Sequence, residues 1–252
     1  MTQTYLYQYP PLKSGILLKR YKRFLADIQL DTGEIITAHC ANTGPMIGVC
    51  EAGRKVQVSH SNNPKRKLAY TWEMIELGED NQTTWVGINT ALPNRVIKIA
   101  LEQNLIPQLS GQYNQVKSEV KFGQDKKSRI DFVLTGDESQ KPIYLEVKNT
   151  TLSPHHNIAV FPDTETTRGQ KHLQELIALS QDYIPMMLYF INRNDCKYFA
   201  PGTEYDRKYG QLFWEAMKQG VQILPCRFDV TPQGINYLGL AEIVNKTADI
   251  SL

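Results

Sequence analysis

The hydrophobic pattern of this 252-residue chain changes its period close to Asn89. From Ser14 to Asn89, apolar residues alternate with polar ones in short runs that Gly, Asn and Pro interrupt, as in β-strands joined by turns. After Asn89 the apolar residues recur at helical spacing. Because strands and helices bury their apolar faces with different periods, this change predicts two domains, over residues 1–88 and 89–252.

The first region is predicted to contain five or six short strands and no helix. One strand face carries Phe24, Ala26, Ile28 and Leu30, before the turn Asp31–Gly33. Further strand-like runs are Glu34–Ala38, Lys55–Ser59, Leu68–Leu77 and Thr84–Ile88. This pattern suits a small β-barrel or a sandwich, and basic residues beside aromatic ones favour an oligonucleotide-binding (OB-like) barrel. A scaffold barrel without a ligand is the alternative.

The second region alternates between helices and strands. Thr90 is predicted to cap a helix that extends to Leu105, and the uninterrupted apolar run Ile184–Ile191 suits a buried strand. The other predicted elements are strands at Gln115–Phe122, Ser128–Leu134, Pro142–Val147, Val221–Pro225 and Gly234–Gly239, and helices at Thr166–Ser180 and Asp206–Gln219. The order helix, three strands, helix, strand predicts an α+β or α/β domain with a mixed sheet flanked by helices.

Hydropathy and cysteine spacing exclude several classes of protein. The longest apolar run, Ile184–Ile191, is too short to cross a bilayer, and residues 1–10 lack the pattern of a signal peptide. The four cysteines include no Cys-x-x-Cys pair, which argues against a disulfide scaffold and against a structural zinc site. We therefore expect a cytoplasmic protein that does not enter a membrane.

Local charge is more informative than the net charge of +2. Three short segments concentrate basic residues: Lys19–Arg23, Lys65–Lys67 and Lys126–Arg129. A run of this kind is often only a solvated face, but it can also neutralise phosphate groups. Four basic residues of the predicted barrel are expected to bind nucleic acid: Arg20, Arg23, Lys65 and Arg66.

One acid and an acid-x-Lys triplet lie on successive predicted strands. Glu146 and Lys148 are two residues apart, so their side chains leave the same face, and Asp131 can reach that face if the two strands are neighbours. Two adjacent carboxylates repel each other, and Mg²⁺ or Mn²⁺ relieves this repulsion by taking oxygen ligands. The Lys148 ammonium could orient an attacking water and offset charge that develops on a phosphate. We expect these three groups to converge at one edge of the sheet.

The context of the triplet separates this hypothesis from an ordinary exposed Glu–Lys pair. Asp131, Glu146 and Lys148 resemble the Asp, Glu-x-Lys signature of the restriction-endonuclease-like superfamily, and the predicted element order is similar to its core. Ile130 stands where many members carry proline, which is not a ligand. Glu119 occupies the place of a further acid in many such nucleases, so the resemblance implies a catalytic role for it, with an exposed strand glutamate as the alternative.

Longer strings resemble the sugar fermentation stimulation protein A family. They are His39–Gly44, Ser128–Phe132, Leu145–Thr150, Phe161–Asp163 and Arg168–Leu173. The likeness extends from Lys13 to Leu240, although Ala41 stands where the family usually has proline. It implies an N-terminal OB-type barrel joined to a nuclease-like domain, in DNA-binding proteins linked to the regulation of sugar use.

Polar residues also cluster where the second predicted helix begins. Arg168, Gln170 and Lys171 could meet phosphate there, because backbone N–H groups and the helix dipole favour an anion. A helix cap with solvated charges is the alternative. Three histidines form no arrangement typical of catalysis, so we expect packing or surface roles for them: His155, His156 and His172.

These observations favour a DNA-binding protein that hydrolyses phosphodiester bonds with Mg²⁺ or Mn²⁺. Asp131 and Glu146 would hold the metal ion, and Lys148 would act beside it. The alternative is a DNA-binding regulatory protein of sugar (maltose) metabolism that keeps the fold without significant cleavage. The sequence leaves RNA open as a substrate and a homodimer open as the assembly.

Overall fold

A computed structural model of the chain describes residues 5–78, 83–122, 128–155 and 157–245. Lys126, Lys127 and His156, which were considered above, lie outside these ranges. The described residues form three α-helices and three β-sheets.

The strands and helices are numbered in chain order. The N-terminal part contains β1 (Tyr7–Gln8), β2 (Leu12–Tyr21), β3 (Leu25–Leu30), β4 (Ile35–His39), β5 (Lys55–His60), β6 (Tyr70–Leu77) and β7 (Thr84–Gly87). It is followed by α1 (Leu92–Glu102), β8 (Gln115–Phe122), β9 (Ser128–Thr135), β10 (Ile143–Thr150), β11 (Leu152–His155), β12 (Ile158–Phe161) and α2 (Thr167–Leu179). The C-terminal part contains β13 (Ile184–Ile191), β14 (Tyr198–Pro201), α3 (Arg207–Lys218), β15 (Gln222–Val230), β16 (Gly234–Leu240) and β17 (Glu242–Ile243).

Strands β2 to β6 form a closed barrel. Antiparallel neighbours follow the order β4–β3–β2–β5–β6, a parallel pairing of β4 with β6 closes the ring, and β7 extends the sheet from β6. Alternation along β3 buries Ala26, Ile28 and Leu30 in the barrel core, where they join Trp72. The predicted OB-like barrel is therefore confirmed.

The alternation predicted that Phe24 would share this buried face, but it does not. Its side chain is 45% exposed, because β3 begins at Leu25. Lys22 and Arg23, in the preceding turn, adopt positive φ angles of 49° and 66°. The turn therefore interrupts the alternation before Phe24 can enter the core.

A seven-stranded mixed sheet forms the centre of the C-terminal region, in the order β1–β16–β15–β13–β10–β9–β8. Strands β10, β13 and β15 are parallel to one another. The apolar strand β13 lies in the middle and is buried along almost its whole length, as its sequence predicted. Helix α1 packs on one face of the sheet, and α2 and α3 pack on the other. The predicted mixed sheet flanked by helices is confirmed.

The predicted order of elements holds for α1, β8–β10, α2 and β13, with the hairpin β11–β12 inserted before α2. This hairpin belongs to a four-stranded sheet, β11–β12–β14–β17, which the sequence pattern did not predict. Its strands have only two to four residues, so they show too few alternations to be recognised.

The start of α1 also differs from the prediction. Thr90 is not the N-cap residue, since its hydroxyl donates a hydrogen bond to the Ala41 carbonyl at 3.0 Å. Ala91 occupies the cap position without a side-chain hydrogen bond, and Pro93 lies in the first turn. The hydroxyl of Thr90 thus ties the helix start to the barrel. Among the described helices, none is both long and apolar enough to cross a membrane.

Asp206 joins the two helices on the far face of the sheet. It caps α3 by accepting a hydrogen bond from the Tyr209 N–H, and it also accepts bonds from the Thr166 N–H and the Gln170 amide. Burial alone would raise the pKa of this carboxyl, but these donors hold the pKa below its usual value. The carboxylate therefore stabilises the folded state above its unfolded pKa, and this contribution is lost as the pH falls through its folded pKa.

We predict that Asp206→Ala lowers the free energy of unfolding by about 2–3 kcal/mol, because it removes a helix cap and leaves buried donors without an acceptor. Urea denaturation at pH 7 measures this loss. The matched control is Asp182→Ala, which changes an exposed turn residue and should have little effect. Equal stability of both variants would show that the Asp206 contacts contribute nothing net.

Candidate functional site

Asp131 lies where the backbone pairing of β9 with β10 ends. The paired residues run from Leu134 with Ile143 to Phe132 with Leu145, and the next position along β9 is Asp131. Its Oδ2 atom accepts a hydrogen bond from the Val147 N–H at 2.7 Å, and its Oδ1 atom accepts one from the Asn94 amide of α1 at 2.8 Å. The carboxylate is therefore held by β10 on one side and by α1 on the other.

Glu146 and Lys148 project from the same face of β10, as their spacing predicts. The Lys148 Nζ atom lies 2.6 Å from the Glu146 Oε1 atom. Glu146 is only 4% exposed, which is unusual for a carboxylate and requires a charge partner. Lys148 supplies this partner. The pair is thus a partly buried ion pair and not the exposed Glu–Lys pair that was the alternative.

The two carboxylates differ in their proton affinity. Burial and the negative charge of Glu146 raise the pKa of Asp131 to about 6. Burial acts on Glu146 as well, but hydrogen bonds and charge from His172 and Lys148 bring the pKa of Glu146 below its usual value. The contacts of Glu146 therefore favour its negative charge. Burial and the charge of Glu146 disfavour a second negative charge on Asp131.

His172 belongs to this site, although the sequence was interpreted otherwise. Its Nδ1 atom hydrogen-bonds to the Glu146 Oε1 atom and lies 2.9 Å from the Lys148 Nζ atom. Its Nε2 atom accepts a hydrogen bond from Arg168 at 3.4 Å. The expectation of a packing or surface role for His172 did not include these contacts with Glu146 and Lys148. The one available signal was the spacing of Arg168 and His172, four residues apart on a helix.

Glu119 lies between Ser118 and Val120, which pair with Phe132 and Ile130, so its backbone is across from Asp131, but its carboxylate pairs with Arg129 instead. It has a positive φ of 56°, its side chain is 56% exposed, and its carboxylate lies 3.3 Å from Arg129. Across the described ranges, no three His, Cys, Asp or Glu side chains are grouped to hold a metal ion. The acids that converge are therefore Asp131 and Glu146. A catalytic role for Glu119 stays a prediction.

The polar residues at the start of α2 have different surroundings. Gln170 is buried, and its amide donates to both carboxylate oxygens of Asp206, so it is not free to meet phosphate. Arg168 is exposed and contacts His172. Lys171 is exposed and lies 3.3 Å from Glu175. Two of the three predicted phosphate-binding residues are thus on the surface beside the site.

The basic residues of the barrel also fall into two groups. Arg20 donates hydrogen bonds from Nη2 to the carbonyl groups of Asn42 and Gly44, and Arg23 donates from Nε to the Thr43 carbonyl. These two arginines therefore hold the loop after β4 in place. The other two, Lys65 and Arg66, are exposed. Arg66 also donates a hydrogen bond to the Thr71 hydroxyl.

Two cavities differ in their relation to this site. A cavity of about 410 Å³ lies between α3 and the small sheet, and its lining includes Trp214 and Tyr205 but none of the predicted site residues. A smaller cavity of about 180 Å³ is lined by Asn149, the residue after Lys148. Neither cavity is lined by Asp131, Glu146 or Lys148, but the smaller one includes the residue that follows Lys148.

Comparisons with known proteins agree with this architecture. The family model "SfsA N-terminal OB domain" matches residues 18–88, and the model "Sugar fermentation stimulation protein RE domain" matches residues 91–234. A sugar fermentation stimulation protein homolog of Crocosphaera subtropica is 68% identical over 243 residues, which cover 96% of this chain and 99% of the relative. A homolog from a Synechocystis species is 62% identical over 240 residues, which cover 95% and 99%.

A solved structure also resembles the chain over nearly its full length. It is the Pyrococcus furiosus SfsA in complex with Ca²⁺, which matches with a TM-score of 0.82 and 26% sequence identity. The match covers 96% of this chain and 100% of that one. Both the barrel and the central sheet therefore have counterparts in that protein.

We predict that Glu146→Gln lowers the pKa of Asp131 from about 6, because it removes one of the two causes of the raised value. Carboxyl ¹³C NMR titration measures the change. In the unaltered protein the contribution of Asp131 to stability is present below about pH 4 and is lost as the pH rises through about 6. The control is Glu165→Gln, an exposed residue before α2. An unchanged Asp131 titration in Glu146→Gln would assign the shift to burial alone.

Proposed function

We propose, since the chain belongs to the sugar fermentation stimulation protein family, that it binds DNA and hydrolyses phosphodiester bonds with a divalent cation held by Asp131 and Glu146. The observation that carries this proposal is that the half-buried carboxylate of Asp131 on β9 and the buried carboxylate of Glu146 on β10 interact electrostatically. Burial, followed by the negative charge of Glu146, raises the pKa of Asp131 to about 6. A lysine on the same strand face completes the arrangement.

The carboxylate pair fits a hard divalent cation. Asp131 and Glu146 both offer oxygen atoms, the donors that Mg²⁺, Mn²⁺ and Ca²⁺ prefer. A bound cation would remove the unfavourable interaction between their charges. The P. furiosus relative is described in complex with Ca²⁺, which supports cation binding in this family. We expect Mg²⁺ or Mn²⁺ as the cofactor of this chain, with bound water as ligands beyond the two carboxylates.

In this proposal, Lys148 and His172 have different roles in hydrolysis. A bound divalent cation supplies Lewis acidity and a more acidic water. Lys148 holds a positive charge beside Glu146 and can stabilise negative charge that develops on a phosphate oxygen. His172 contacts both of these side chains and restricts where they lie. His172 is therefore a positioning residue in this proposal, because its ring packs against the ion pair.

Binding of DNA would draw on more dispersed contacts. Arg168 and Lys171 are exposed at the start of α2, the helix that also carries His172. Lys65 and Arg66 are exposed on the barrel. Phosphate contacts of this kind supply affinity and orientation without sequence information. We expect the bound strand to contact both domains.

A DNA-binding regulatory protein without significant cleavage is the second candidate. The observation in its favour is that the Oε1 atom of Glu146 is already engaged by Lys148 and His172, while Glu119 pairs with Arg129. A site with fewer available acids would hold a metal ion less tightly. The two candidates differ in one measurable property, which is metal-dependent cleavage.

We predict that Glu146→Gln and Lys148→Ala each reduce metal-dependent DNA cleavage by on the order of a hundredfold or more, because each removes a charge aligned with the reaction. DNA affinity should change little, since it depends on many phosphate contacts. The measurement is cleavage of supercoiled, linear and single-stranded DNA with Mg²⁺, Mn²⁺ or EDTA. Circular dichroism and DNA binding on the same preparations test folding and affinity.

The control for this prediction is Glu165→Gln, which should cleave like the unaltered protein. Cleavage that survives both site substitutions would place the chemistry elsewhere. An unaltered protein that binds DNA but takes up no Mg²⁺ or Mn²⁺ and cleaves none of these substrates would favour the regulatory binder.

We predict that the double variant Lys65→Ala, Arg66→Ala weakens DNA binding and reduces the slope of log affinity against log salt by up to about 1.8 on duplex DNA, at about 0.9 for each phosphate that is no longer neutralised. Binding measured at several salt concentrations gives this slope. The control is Lys98→Ala, a residue exposed on α1 and paired with Glu102. An unchanged slope in a folded double variant would move the interface away from this loop.

Arg20 and Arg23 are left out of this variant for a structural reason. They hold the loop Asn42–Gly44, so their removal would alter the barrel as well as its charge. Weaker binding by an Arg20 variant would therefore not report on phosphate neutralisation alone.

A further inference from the structure

The cavity of about 180 Å³ lies between the barrel and the central sheet. The loop after β4 lines it with Asn42 and Gly44, and the end of β10 and the residue beyond line it with Asn149 and Thr151. The end of β12 and the residues beyond contribute Phe161 and Asp163. Three of the segments that resemble the family meet at this cavity: His39–Gly44, Leu145–Thr150 and Phe161–Asp163. The proposed hydrolysis uses none of the residues that line the cavity.

Hydrogen-bonding groups of this cavity are left available by their neighbours. The Oδ1 atom of Asn42 accepts a bond from the Gly44 N–H at 2.9 Å, and the Oδ1 atom of Asn149 accepts one from Asn192 at 3.0 Å. Since both carbonyl oxygens are occupied, the two side-chain NH₂ groups remain as donors. Within the described ranges, neither NH₂ group nor the Asp163 carboxylate has a side-chain partner.

The charge of the lining limits the ligand. None of the residues that line the cavity is basic, so an isolated phosphate has no counter-charge there. Asp163 is its one ionisable acid, and burial raises the pKa of this carboxyl. A neutral ligand with hydrogen-bond acceptors, or with both donors and acceptors, therefore suits the cavity better than an anion.

The volume of the cavity and its apolar surface further limit the class of ligand that it can hold. The volume is below the roughly 300–1,000 Å³ of cavities that hold drug-sized ligands, but it is several times the roughly 30 Å³ that one water occupies in the liquid. Leu152, Val160 and Phe161 add apolar contact surface. A single flat ring system with polar edges meets these conditions.

The cavity also lies next to the carboxylate site along the chain. Asn149 follows Lys148 directly, and adjacent Cα atoms are about 3.8 Å apart. Alternation along β10 sends these two side chains to opposite faces, Lys148 towards Glu146 and Asn149 into the cavity. Phe161, which also lines the cavity, contacts Tyr189, and Tyr189 pairs with Lys148 in the register of β10 and β13. The lining therefore extends to the face that carries Lys148, so a strand with a phosphate at the carboxylates has this cavity within reach of an adjoining nucleoside.

We propose that this interdomain cavity receives one unpaired nucleobase of the nucleic-acid strand bound at Asp131, Glu146 and Lys148. The Asn42 and Asn149 amides would donate to the acceptors on the edge of the base, and Phe161 and its apolar neighbours would contact its ring. This inference rests on the proposed function and extends it. It makes the substrate a single strand or a locally unpaired duplex, because a base must leave its pair and its stack before it can enter this cavity.

Gly44 provides a direct way to test the cavity. A Cβ atom added there would lie 3.1 Å from the Asn42 Oδ1 atom and 3.7 Å from an Asp163 carboxylate oxygen, and it would therefore point between two lining groups. The φ of Gly44 is not in the left-handed region, so a larger residue fits its backbone conformation. Gly44→Leu should fill the cavity. Thr151→Val is a second variant that removes a lining hydroxyl at nearly constant volume.

The experiment compares two short single-stranded oligonucleotides with the same phosphates, one with normal bases and one with abasic sugars throughout. Fluorescence anisotropy measures their affinities in EDTA and again in Ca²⁺. The unaltered protein should prefer the oligonucleotide with bases. Gly44→Leu should reduce this preference about tenfold while leaving the affinity for the abasic strand unchanged, since one base can no longer stack or hydrogen-bond in the cavity. Thr151→Val should reduce it less.

The control variant is Gln211→Leu, which changes a residue of the larger cavity beside α3 and should keep the full preference. A preference that is the same in Gly44→Leu and in the unaltered protein would overturn the nucleobase assignment and leave the proposed hydrolysis standing. Failure of the unaltered protein to bind either oligonucleotide would also overturn the nucleobase assignment, while the cleavage assays with supercoiled and linear DNA decide the proposed hydrolysis. If circular dichroism shows that Gly44→Leu is unfolded, Thr151→Val provides the test. A reduced preference for the oligonucleotide with bases in Thr151→Val would support the nucleobase assignment, and an unchanged preference would overturn it.

Discussion

The architecture of the site depends on holding two negative charges close together with little water around them. Asp131 and Glu146 lie on neighbouring strands, and each needs donors to remain there. Asp131 receives them from Val147 and Asn94, and Glu146 receives them from Lys148 and His172. These partners come from β10, α1 and α2, so both faces of the central sheet must be packed before the carboxylates can coexist.

The helices that support the site are themselves fastened by buried polar contacts. Asp206 joins the start of α3 to the start of α2, the helix that places His172 against Glu146. On the other side, Arg20 and Arg23 hold the loop after β4 against the barrel, and Thr90 links the start of α1 to this loop region. The barrel and the nuclease-like sheet thus meet at the end of β10, where the ion pair and the interdomain cavity adjoin.

Much of the fold follows from local patterns, and the exceptions have identifiable causes. Strands β8 and β13 begin and end where their residues predicted, because long alternating or continuously apolar runs are strong signals. The small sheet was missed, since its strands are too short to show a period. The cap of α1 was misplaced because Thr90 bonds to the barrel, an interaction that no local pattern contains.

The sequence by itself determined that Glu146 and Lys148 share a strand face, because side chains two residues apart always do so. It also predicted Asp131 as a further acid of the site, and it predicted the barrel and the mixed sheet that the structure shows. Only the tertiary structure decided that His172, 26 residues from Glu146, contacts that acid, that Glu119 pairs with Arg129, and that Gln170 is buried against Asp206. The physical reason is that these contacts depend on how helices pack on a sheet and where a strand twists, and side-chain type and spacing along the chain do not specify either.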